Sequence, residues 1–221
     1  MRKLAIGLAV ASCVTLLAMV IVSIVTGATQ EAHEHIAVPD VYAANLLAHA
    51  DGLRLVMALD VAFLVLYTAF FATLPGYLRA IGQPRVLVTI ALGAMIAVAL
   101  RDMLEDHYML ALLAQAEHGI APTSGAIAYQ TTESATKFSI SYLALMVFGL
   151  AVPRTTRIGL VLALFLTVGT LVAAVAGLAV SPSAQASIDS GRWVGFLIGF
   201  ALAIAWLVRQ RDAEPDVRAG A

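Results

Sequence analysis

The sequence predicts an all-α protein that crosses a membrane six times. Of its 221 residues, 61% are hydrophobic and 12% are charged, whereas roughly a quarter of the residues in soluble domains are charged. A chain of this length cannot bury so much apolar surface inside a soluble globule. The apolar residues also fall into six stretches, each near the roughly 20 residues that a helix needs to cross hydrocarbon. These observations favour a multi-pass protein of the bacterial inner (plasma) membrane.

Ionisable residues and prolines mark the ends of the six predicted spans. The spans cover residues 4–25, 53–77, 86–113, 135–152, 158–180 and 193–208. The first follows a basic N-terminus like a secretory signal, but it exceeds the roughly 7 to 15 apolar residues of such signals, so we expect a retained helix. The third is long enough to tilt or to protrude. We expect residues 1–211 to form one transmembrane domain and residues 212–221 a short disordered cytoplasmic tail.

The distribution of Lys and Arg predicts that both termini are cytoplasmic, because these residues are enriched in cytoplasmic loops. With the N-terminus inside, nine of the thirteen basic residues lie at cytoplasmic ends. They are Arg2, Lys3, Arg79, Arg85, Arg154, Arg157, Arg209, Arg211 and Arg218. The opposite orientation would place most of the positive charge outside.

Two connections on the non-cytoplasmic side are long. In residues 28–52, the spacing of Val41-Tyr42 and Leu46-Leu47 predicts a short amphipathic helix on the membrane surface. Residues 119–132, with the sequence GIAPTSGAIAYQTT, predict an irregular loop.

Charged residues interrupt the second, third and fourth spans at similar depths. With a helical rise of about 1.5 Å per residue, Asp60, Asp102 and Lys137 all fall in the outer half of the membrane. A charge in hydrocarbon costs at least about 2.5 to 3.5 kcal/mol, so these side chains should turn inward and pair. We predict that Lys137 pairs with Asp60 or Asp102, and that Arg101 is held by Glu105 or Glu133. The predicted ligand-binding or ion-pair cluster is Asp60, Tyr67, Arg101, Asp102, Glu105, Asp106 and Lys137.

Histidines on the same side are weak candidates for metal ligands. His33, His35 and His107 lie in or next to non-cytoplasmic segments, and imidazole and carboxylate groups bind zinc, copper or nickel. The sequence lacks the helical His-x3-His or His-Glu-x-x-His spacing that would make the signal specific. A divalent metal is therefore one cofactor hypothesis, and solvated loop histidines are the alternative.

Small residues recur every four positions in the last span, at Gly191, Gly195, Gly199 and Ala203. Such stripes let helix backbones approach closely. We expect them to pack on the fifth span, with a homo-oligomeric contact through Gly195 and Gly199 as the alternative.

The same features limit the classes of function. Without a basic run, nucleic acid is not an expected partner, and the single Cys13 cannot form a disulfide framework. The cytoplasmic half of the spans lacks ionisable residues, which disfavours a path for charged solutes. We therefore predict a charged pocket in the outer half that binds a small or lipid-like ligand. A membrane-embedded enzyme using paired carboxylates and Lys is an alternative, although no Gly-x-Ser-x-Gly motif is present. A proton- or ion-coupled transporter and a purely structural ion-pair network are the others.

Overall fold

The described residues, 1–179 and 182–210, are helical nearly throughout in a computed structural model of the chain. The helices are α1 (Arg2–Thr26), α2 (Pro39–Ala48), α3 (Ala50–Ala80), α4 (Arg85–Glu117), α5 (Ser124–Ala151), α6 (Arg157–Leu164), α7 (Thr170–Ala179) and α8 (Pro182–Arg209). Within these ranges, six helical runs are long and apolar enough to cross a membrane. The predicted all-α, six-span architecture is confirmed at this level. The predicted tail, residues 212–221, lies outside the described residues.

Two local signals set helix ends. Gly27 has a left-handed φ of 71°, and its N–H donates to the Ser23 carbonyl at 2.9 Å, which ends α1. The Thr123 hydroxyl accepts from the Ala126 N–H at 3.1 Å and begins α5. The predicted irregular loop over residues 119–132 is therefore wrong from Ser124 onward, because the Thr123 cap satisfies an N–H that would otherwise be free.

One side of the bundle is closely packed. α1 packs along α3, α3 on α4, and α4 on α5. Where α1 meets α3, a Cβ on Gly52 would lie 2.6 Å from Thr26 Oγ1, so the approach requires glycine. The predicted short helix in residues 28–52 is present as α2, with Tyr42 and Leu46 buried. This packing brings the charged segments of α3, α4 and α5 together.

The other side of the bundle, formed by α6, α7 and α8, is more open. A π-helical turn, Phe165–Gly169, joins α6 to α7. A Cβ added to Gly195 would meet no atom within 4 Å among the described residues, and one on Gly199 would meet Phe165 Cε1 at 3.3 Å. The expected close packing of this stripe on the preceding span is therefore wrong at Gly195, because that position faces open space. A homo-oligomeric contact through Gly195 and Gly199 stays a prediction.

Candidate functional site

Five charged side chains from three helices meet inside the bundle. α3 contributes Asp60, α4 contributes Asp102, Glu105 and Asp106, and α5 contributes Lys137. We call these five residues the charged cluster. All are buried, with at most 7% of any residue exposed. None of the three acids that α4 contributes to the charged cluster therefore points into water, although a purely structural network would have left a surplus acid free to do so.

Lys137 lies between two of the acids of α4. Its Nζ atom is 2.8 Å from Asp102 Oδ1 and also forms an ion pair with Glu105. The predicted pairing of Lys137 with Asp102 is confirmed. The alternative partner, Asp60, is not one of the ion-pair partners of Lys137, and Glu105 is the second partner instead.

Neutral donors complete the surroundings of Glu105. The Ser134 hydroxyl donates to Glu105 Oε1, and Gln130 Nε2 donates to the same atom at 3.4 Å. Sequence reasoning missed both residues. A signal was available, because Ser134 and Gln130 precede Lys137 by three and seven positions and so lie on the same helix face.

Three carboxyl groups lie next to one another on the other side of the charged cluster. Oxygen atoms of Asp60, Asp102 and Asp106 all lie within 4.8 Å of each other. The Tyr67 hydroxyl donates to Asp102 Oδ2 at 2.9 Å, and Gln30 Nε2 donates to Asp106 Oδ1 at 3.3 Å. Carboxylate oxygens suit a hard divalent cation such as Mg²⁺ or Ca²⁺. The ammonium of Lys137 already neutralises Asp102, so a metal would compete with it for that ligand.

The connection between α1 and α2 covers one end of the charged cluster. Glu34 forms an ion pair with Arg192 of α8 at 2.7 Å, and the Trp193 indole N–H donates to Glu31. The Arg192 guanidinium lies 3.7 Å from the centre of the Phe138 ring. Burial raises the pKa of Glu34, and the positive charges of Lys137 and Arg192 act in the opposite direction. Gln30 and Glu34 were not predicted, because an irregular segment has no periodicity that reveals where its side chains point.

Arg101 lies away from the charged cluster. It pairs with Glu133 at 2.6 Å, which was one of its two predicted partners, and its side chain is 40% exposed. Arg101 therefore contributes an ion pair between α4 and α5 near the surface.

The candidate metal-binding histidines occupy three different environments. His33 is buried with its ring 5.5 Å from that of Tyr42, His35 is half-buried, and His107 is exposed with Nδ1 2.8 Å from the Met103 carbonyl. Within the described part of the chain, the group of side chains close enough to share a metal ion is the aspartate trio, which contains no histidine. A histidine metal site stays a prediction.

A cavity of about 370 Å³ extends from the charged cluster along the open side of the bundle. Its volume lies within the range of about 300 to 1,000 Å³ that is usual for ligand pockets. The charged residues that line it are Glu31, Glu34, Asp60, Asp102, Lys137 and Arg192. Beyond them the walls are mainly apolar and reach Trp206 of α8, which lies about 22 Å from Gly191 by helical rise. The cavity therefore has one charged end and a long apolar body.

The small residues and the π-helical turn explain why this space exists. Gly195 and Gly199 of α8 and Gly169 of the turn all line the cavity. Without side chains, these positions leave room where larger residues would fill the gap. π-Helical turns are rare and often occur at functional sites. The stripe that predicted close helix packing therefore forms a cavity wall at Gly195, and it approaches Phe165 closely at Gly199.

No known protein family, curated protein or solved structure matches this chain.

Proposed function

We propose that this protein binds an amphiphilic, lipid-like ligand within the membrane. The ligand's headgroup lies at the charged cluster, in the outer half of a bacterial inner membrane, and its apolar tail lies along the cavity. The observation that carries this proposal is that one cavity is lined by Asp60, Asp102 and Lys137 at one end and by apolar side chains over the rest of its length. A ligand that matches both parts must itself be amphiphilic.

The alternatives account for fewer of these features. A structural ion-pair network explains Lys137, Asp102 and Glu105, but it requires neither a cavity nor the approach of Asp60 to two further acids. A carrier of ions or charged solutes needs polar groups along its path. The charged lining residues are confined to one end, so this arrangement favours binding of a ligand with an apolar tail.

The position of Trp206 provides a direct test. This side chain is 1% exposed and lies at the apolar end of the cavity, so a probe dissolved in the surrounding lipid cannot contact it. Hexadecyl probes with a bromine atom at the end of the tail would be added to the protein in nanodiscs. The probes would carry a trimethylammonium, phosphate or hydroxyl headgroup, and quenching of tryptophan fluorescence would be measured. We expect saturable quenching by at least one probe and its loss in Trp206→Phe.

Two glycine variants provide the matched control. Gly195→Leu places a side chain in the cavity, whereas Gly93→Leu adds the same side chain to an exposed helical position of α4 that is not part of its lining. We expect Gly195→Leu to abolish the saturable quenching and Gly93→Leu to preserve it. The proposal is wrong if no probe quenches saturably, or if Gly195→Leu binds the probes as well as wild type.

A further inference from the structure

The charged end of the cavity has more acid than base. Glu31, Glu34, Asp60 and Asp102 line it, against Lys137 and Arg192. Both bases are already engaged, Lys137 by Asp102 and Glu105, and Arg192 by Glu34. An anionic headgroup would have to displace one of these carboxylates. A cationic headgroup would instead meet Asp60, an acid that takes part in none of these ion pairs.

Asp60 is such an acid. It lines the cavity, yet it is 6% exposed. The carboxyl groups of Asp102 and Asp106 lie next to it, Lys137 is near but forms its ion pairs with Asp102 and Glu105, and the ion pairs of residues 1–179 and 191–210 do not include Asp60. Close carboxylates away from water repel one another, so a positive charge placed beside them is stabilised.

Aromatic rings continue from Asp60 into the apolar part of the cavity. Phe63 and Tyr67 follow Asp60 by three and seven positions on the same helix face, and their ring centres are 5.2 Å apart. Both line the cavity. A carboxylate that shares a cavity wall with aromatic rings favours an ammonium group, because the negative face of a ring attracts a cation.

We propose that the ligand is a cationic amphiphile whose positively charged nitrogen binds at Asp60, against Phe63 and Tyr67. This inference rests on the proposed function, because it specifies the headgroup of the ligand that the cavity holds. The tail extends from Phe63 towards Trp206. A divalent cation on the three aspartates would use the same acids but would leave the apolar walls unexplained.

The three brominated hexadecyl probes separate the two proposals. For the wild-type protein we expect the trimethylammonium probe to bind at least about tenfold more tightly than the phosphate and hydroxyl probes, because it gains attraction to the Asp60 carboxylate and to the aromatic rings. Equal or tighter binding of the phosphate or hydroxyl probe would contradict the proposed cationic headgroup, but it would still support binding of a lipid-like ligand. Failure of all three probes would overturn both. This comparison requires no variant, so it does not depend on whether a substitution folds.

Substitution of Asp60 tests whether this residue causes the preference for the trimethylammonium probe. Asp60→Asn keeps the size of the side chain and removes its charge, so the affinity for the trimethylammonium probe should fall by about 10- to 100-fold as the charge–charge attraction is lost. The affinity for the hydroxyl probe should be unchanged. Asp51→Asn is the control, because Asp51 is an exposed acid on the same helix, outside the cavity. The proposal fails if Asp60→Asn and Asp51→Asn have the same effect on the ammonium probe.

Discussion

At the scale of single residues, Lys137 has an essential position. Its ammonium group lies within ion-pair distance of both Asp102 and Glu105. All three side chains are nearly inaccessible to water. Removing one member of a buried ion pair is far more costly than never having the pair, because the remaining charge has no compensation. Lys137 therefore stabilises the junction of α4 and α5, whereas Asp60 takes part in neither of these ion pairs.

This division of roles gives a prediction about stability. Lys137→Met should destabilise the protein by roughly 3 to 5 kcal/mol, because Asp102 and Glu105 then remain buried without a cation. Adding Asp102→Asn should restore part of the loss, since one uncompensated charge is removed. Thermal melting in detergent would measure both effects, with the exposed Lys3→Met as control. A double variant whose loss of stability equals the sum of the two single losses would contradict the predicted pairing.

At the scale of elements, the connection between α1 and α2 is folded onto the bundle. Its Gln30 side chain donates a hydrogen bond to Asp106, and its Glu34 side chain forms an ion pair with Arg192. Its histidine, His33, is 1% exposed, and the Nε2 atom has no hydrogen-bond partner among the described residues. Burial lowers the pKa of His33, the Thr29 carbonyl raises it to a smaller extent, and His49 lowers it further.

The buried His33 predicts a dependence of stability on pH. Because its pKa in the folded protein is below the ordinary value of 6.5, the folded state binds fewer protons than the unfolded state as the pH falls through this value. Stability should therefore decrease below pH 6.5. The loss of melting temperature from about pH 7.5 to about pH 5.5 should be smaller in His33→Gln than in wild type. His107→Gln, at an exposed position, is the control, and a wild-type-like pH dependence in His33→Gln would refute the prediction.

At the scale of the whole molecule, the ends of the helices define two faces. A Cβ on Gly76, near the end of α3, would lie 3.5 Å from the Met1 side chain, so the start of α1 and the end of α3 share one face. The α1–α2 connection lies at the other end of these helices. The positive charges favour the face of Met1 as the cytoplasmic one.

Cysteine labelling tests this orientation. In a Cys13→Ala background, a membrane-impermeant maleimide added to intact cells should react with His35→Cys, which lies in the α1–α2 connection. It should not react with Gln83→Cys, which lies between α3 and α4. Labelling of both variants after the cells are opened would show that both positions are accessible. The reverse pattern would place the charged cluster in the cytoplasmic half.

The fold could be predicted in outline from the amino-acid sequence. The lengths of the apolar stretches and the ionisable residues at their ends predicted six spans, because hydrocarbon excludes unpaired backbone groups and favours helices of a set length. Burial of Asp102, Glu105 and Asp106 inside the bundle was predictable as well, because a charge in hydrocarbon is costly. The start of α5 was not, since a single Thr123 cap extended a helix into a polar segment that reads as a loop.

The sequence by itself determined that Asp60, Asp102 and Lys137 belong at one depth and turn away from lipid, because helical rise and the cost of charge in hydrocarbon depend on chain position alone. Only the tertiary structure decided which acid pairs with Lys137, that Gln30 reaches Asp106, and that Gly195 faces a cavity. These contacts join different elements. They depend on how each helix is rotated and how far it stands from its neighbour, and those quantities are set by the packing of all the side chains together.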